Sequence, residues 1–161
     1  MRRMGWAGAV TAAVVALGGV WGFGVGSVDA SGDQAAGRRE CSEATLRGAY
    51  GIQMQGTRPS APGKEIESVV GVVFRHYDGR GEFTQVDNVK GSISGLAPDR
   101  PGSGTYTVNA DCTGATLFQP GPGFTIEERF VIVNRGQEVR SMVASPLPVM
   151  ITTVQKKIDW R

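Results

Sequence analysis

The chain has 161 residues, a mass of 17.0 kDa and a formal charge of +2 from 17 basic and 15 acidic residues. That length fits one domain, and the near-neutral balance gives no polybasic footprint for nucleic acid or an anionic membrane. One histidine and two cysteines exclude most metal and nucleophilic chemistries at the outset.

Residues 1–30 read as a secretory signal peptide. Arg2 and Arg3 form a positive start, Ala7 to Gly26 is apolar and uncharged, and Val28 and Ala30 stand where a signal peptidase requires small residues. The alternative is a retained membrane anchor, since the apolar run is near the ~18–20 residues that span a bilayer. A lipid anchor fits poorly, because Cys41 follows Arg38-Arg39-Glu40. Cleavage removes two arginines and one aspartate, which leaves the mature chain at +1. The expected location is secreted or periplasmic, with no membrane contact after cleavage. In an oxidising compartment, an even cysteine count favours a Cys41–Cys112 disulfide. Closing a loop of about 70 residues is worth roughly 4 kcal/mol at most.

Residues 31–40 are small, polar and charged, and read as a disordered leader. Ser42 to Leu46 suits one helical turn capped by Ser42, too short to stand alone. From Ala49 the pattern has period two. Tyr50, Ile52 and Met54 share one face, and Gly51, Gln53 and Gln55 the other. Arg58 to Gly63 is a Pro/Gly loop. Ile66 to Tyr77 is mostly apolar and β-branched, and Asp78-Gly79-Arg80-Gly81 is a hairpin signal. Glu82 to Ser94 continues as a strand, bulged near Asp87-Asn88 and Gly91, and Ala97 to Gly104 reads as a loop. Strands follow at 105–109, 115–119, 124–134, 138–145 and 149–157, the last two separated by Pro146 and Pro148. About eight strands in a 41–161 domain predict an all-β fold. The simplest form is an antiparallel up-and-down barrel, which removes exposed edges; a β-sandwich is the alternative.

Three segments carry a resemblance: Cys41-Ser42-Glu43-Ala44-Thr45-Leu46-Arg47-Gly48-Ala49-Tyr50-Gly51, then Tyr77 to Phe83, then Gly104 to Gly114 with its Tyr106 strand, turn and Cys112. In that order they resemble a group of small secreted bacterial proteins of unknown function. The resemblance implies a barrel of the lipocalin-like or allene-oxide-cyclase-like class, and no activity.

Few residues could carry chemistry. His76 ends a strand beside Arg75, Tyr77 and Asp78, where a histidine is ordinarily solvated. No nucleophile elbow, HExxH or CxxC is present. Asp78, Asp87 and Asp99 are too dispersed for a calcium loop, and Gly79 and Gly81 precede no helix. Lys156-Lys157 reads as a solvated strand edge. Alternation places Glu128 inward with Phe124, Ile126, Phe130 and Ile132. A buried carboxylate must find a cation such as Arg140, take up a proton, or escape through a bulge. Tyr50, Tyr106, Gln53 and Gln55 are candidates to line a pocket, with Glu128 as its polar anchor.

Three functions fit this composition: a barrel binding a small apolar ligand, a structural or interaction protein of the cell surface with a filled core, and an isomerase- or cyclase-type enzyme with a buried carboxylate. None implies a cofactor or a metal. They separate on whether the barrel is hollow, which requires small inward residues to go unmatched by large ones.

Overall fold

The computed structural model describes residues 40–121 and 123–159. The expected signal segment and all of the leader but Glu40 lie outside them. Eight strands among the described residues pair in sequence order and close into a ring: β1 (Gly48–Pro59), β2 (Ile66–Tyr77), β3 (Glu82–Gly91), β4 (Gly95–Val108), β5 (Thr113–Gly121), β6 (Phe124–Val133), β7 (Glu138–Ser145) and β8 (Met150–Lys157). Every pairing is antiparallel, and β8 returns to β1 through Tyr50↔Lys157 to Thr57↔Met150. The up-and-down barrel is therefore the fold, and the sandwich alternative falls. No helix among the described residues is long and apolar enough to cross a membrane.

One segment expected as a loop is strand. Ala97 to Gly104 lies inside β4 and pairs with β3 and β5. Proline lacks the ladder donor and glycine weakens a strand, so the composition misleads. The strand accommodates Pro98 where the β3–β4 register shifts between Asp87 and Val89. Gly102 and Gly104 lie where atoms of neighbouring strands leave no room for a Cβ: it would meet the Phe118 ring at 2.4 Å and the Leu117 backbone carbonyl at 2.2 Å, respectively.

The lower end of the barrel is closed by a 3-10 turn, Glu43–Leu46, whose Leu46 is buried. Cys41 and Cys112 are joined in a disulfide that ties this turn to the β4–β5 connection. Above it lies an aromatic floor. Tyr77 meets Tyr50 edge-on at 5.3 Å and Tyr106 at 4.9 Å between centroids, with Phe83 beside it. Toward the other end Val69, Val89, Val143 and Ile151 pack with Met54 and Ile126 as an aliphatic collar. Between floor and collar the interior is polar.

Candidate functional site

β2 builds that polar layer. Counting by two from Tyr77 puts Arg75, Val73, Gly71, Val69 and Glu67 on the inward face. Arg75 is 3% exposed. Its Nε donates to Gln85 Oε1 at 2.8 Å, and its Nη1 donates to Tyr77 OH at 3.1 Å and Glu128 Oε2 at 3.2 Å. The guanidinium lies 4.2 Å from the Phe83 ring centroid. Burial works against its charge, but Tyr77 and Glu128 outweigh that, so the pKa rises and the cation is retained.

Glu128 is inward and 6% exposed. Thr116 Oγ1 donates to its Oε2 at 2.9 Å, beside the Arg75 bond. Its cation is thus Arg75, not Arg140. The register sets Glu128 opposite Val143 and Arg140 opposite Val131, so Arg140 points outward, where its Nε donates to Glu138 at 2.8 Å. Phe124 also departs from expectation. It starts β6 beyond the register shift between Phe118 and Gly121 and is exposed.

The network continues on both sides. Gln85 Nε2 donates to Asp87 Oδ2 at 3.3 Å, and Arg100 Nε donates to Asp87 Oδ1 at 2.7 Å. Tyr77 OH donates to Gln155 Oε1 at 2.8 Å. Gln155 is fully buried, and its Nε2 has no hydrogen-bond partner among the described residues. Alternation in β2 would have revealed Arg75 and Glu67 as inward charges, because Tyr77 fixes the phase; the apolar outward residues mask it.

The other expected site residues do not join this layer as a pocket lining. Tyr50 and Tyr106 belong to the aromatic floor. The Tyr50 hydroxyl donates to the Gly136 carbonyl at 2.6 Å, and that of Tyr106 to the Glu43 carbonyl at 3.0 Å. Burial raises both pKa values, that of Tyr106 up to about 12. Gln53 and Gln55 are on the outer wall, as is His76, which lines a shallow external cleft with Asp78 and Glu82. No cluster of three or more His, Cys, Asp or Glu that could hold a metal occurs among the described residues.

Inward glycines are matched by large side chains. A Cβ at Gly114 would meet Phe130 at 2.2 Å, at Gly104 Phe83 at 2.6 Å, and at Gly71 Met54 at 3.0 Å. β2 is apolar on its outer face as well as its inner one. Ile66, Val70, Val72 and Phe74 face solvent and are each about half exposed, while Glu67 and Arg75 of the same strand are inside. Val86 of β3 and Val154 of β8 extend this apolar face. Across it runs a second shallow cleft, whose outward residues include Gly51, Gln53, Val72, Phe74 and Lys156. No protein family, curated protein or solved structure matches the chain.

Proposed function

We propose that the chain is an exported interaction protein: a filled, disulfide-clamped barrel that works through its outer wall. The carrying observation is the outer face of β2, where Ile66, Val70, Val72 and Phe74 stand exposed in one row. Contiguous exposed apolar surface marks an interaction site. The disulfide supports an oxidising compartment.

The packing of glycines against Phe83, Phe118 and Phe130 supports a filled core over a hollow one. The charged layer argues in the same direction, since an apolar ligand offers nothing to Arg75 or Glu128. Gln155 Nε2 needs a hydrogen-bond acceptor, which an apolar ligand does not offer. For the enzyme alternative, Glu128 Oε2 is already engaged by Arg75 and Thr116.

Titration with the apolar fluorophore N-phenyl-1-naphthylamine tests the filled core. Wild type and a Val143→Trp variant, which crowds the collar, should give the same weak, non-saturating response. Saturable binding that Val143→Trp abolishes and Val72→Glu leaves intact would restore the ligand-binding barrel.

A further inference from the structure

Away from their ends, the strands carry glycines at positions 51, 56, 71, 102, 104 and 114. Five of these have a steric reason. A Cβ would lie 2.0 Å from the Met150 carbonyl at Gly56, 2.9 Å from that of Asn88 at Gly71, and 2.4 Å or less from ring or carbonyl atoms at the other three. Gly51 has none. Its φ is not in the left-handed region, and a Cβ there would meet only Ile158 at 3.7 Å, an ordinary contact. Neither of its ladders shifts register. Glycine inside a strand weakens it and commonly marks close approach by a ligand or another backbone. Gly51 faces outward, opposite Phe74 on β2 and Lys156 on β8.

We propose that Gly51 is the floor of a docking notch on the β8–β1–β2–β3 wall, and that its occupant is a different protein presenting an apolar side chain flanked by carboxylates. This rests on the outer-wall reading above. Phe74, 46% exposed beside the notch, supplies the aromatic anchor typical of interface centres. Val72 and Val86 widen the apolar floor. Charge selects the partner. Alternation along these strands makes Lys90 and Lys156 the outward cations of this face, and Glu82, at the lower end of β3, its only outward carboxylate. The cleft is lined by Lys156 and by no carboxylate, so the same cleft of a second copy brings it no opposite charge, whereas an acid-rimmed surface is complementary.

Site-specific photo-crosslinking in the producing organism tests this. A benzophenone side chain is placed at Gln53, beside the notch, or at Thr107 on β4 as a control; both positions are exposed. The expected result is an adduct with another protein from position 53 and none from 107, its attachment site an apolar residue with neighbouring Asp or Glu. Gly51→Val, which fills the notch, and Lys90→Glu with Lys156→Glu should each reduce the adduct roughly tenfold or more, the scale of an interface hot spot. Thermal unfolding verifies that the variants fold. An adduct of the chain with itself overturns the partner and keeps the outer-wall reading. A lipid adduct, or one indifferent to Gly51→Val, overturns the notch. Equal labelling from 53 and 107, or none from either, overturns both.

Discussion

Arg75 and Glu128 stand four strands apart on an eight-stranded ring and join across its bore at 3.2 Å. Both are nearly inaccessible, so each is the other's principal compensation for leaving water. Glu128→Gln keeps the shape and strands the cation. It should cost about 3–5 kcal/mol in chemical denaturation, while Arg75→Met combined with Glu128→Leu should recover most of that loss. A Glu128→Gln variant within about 0.5 kcal/mol of wild type, as at ordinary surface sites, would mean the pair does not hold the barrel's opposite walls together.

All three tyrosines of the chain, Tyr50, Tyr77 and Tyr106, are buried with raised pKa values. Desolvation is the main cause at each. An unfolded tyrosine ionises near ~10, so the folded state holds protons that the unfolded state releases. Stability should be unaffected by these groups below that pH and fall as pH rises beyond it. Phenolate absorbance should therefore show no titration near ~10 in the folded protein and should rise together with loss of the near-ultraviolet circular dichroism. A tyrosine titrating normally in folded protein would contradict the floor.

Glu67 accepts from the backbone of Ser94 and Ile93, from the Ser94 hydroxyl and from Arg58. Chiefly through the Ser94 backbone N–H, these donors hold its pKa down to about 2, from 4.5. A depressed carboxylate contributes above its unfolded pKa and loses its contribution as pH falls through the folded value. Wild type should lose stability progressively from about pH 4.5 toward pH 2, and Glu67→Gln should be less stable at neutral pH with a flatter acid limb. Parallel acid limbs would show that other carboxylates govern the acid response.

Two glycines make a matched test of packing. Gly104→Ala should destabilise by about 1–3 kcal/mol, the range for overpacking, because the new methyl meets the Leu117 carbonyl at 2.2 Å. Gly51→Ala should be neutral or stabilising by up to about 1 kcal/mol, since it lowers the entropy of the unfolded chain without a clash. Equal penalties at both sites would show that the fold itself requires Gly51.

The barrel was legible where alternation is clean: the bounds of β2 and β7 can be read directly, and Glu128 faces in because Phe130 and Ile132 do. Three things were not. β4 carries prolines and glycines whose reasons, a bulge and neighbouring side chains, lie on adjacent strands. The cation for Glu128 sits on a strand 53 residues away in sequence, and only ring closure brings it across. The inside of β2 was hidden because its solvent face is the more apolar one, so hydrophobicity alone points the wrong way.

The ring closes only when β8 reaches β1, pairing Gly51 with Lys156. The first strand therefore keeps an open edge until the last is in place. Folding rate falls as paired residues lie farther apart in sequence, and an open edge invites pairing with other chains. A chain cut short before Met150 should be an aggregating species rather than a seven-stranded remnant. The Cys41–Cys112 link acts earlier, since both cysteines precede β5, and shortens the search that remains.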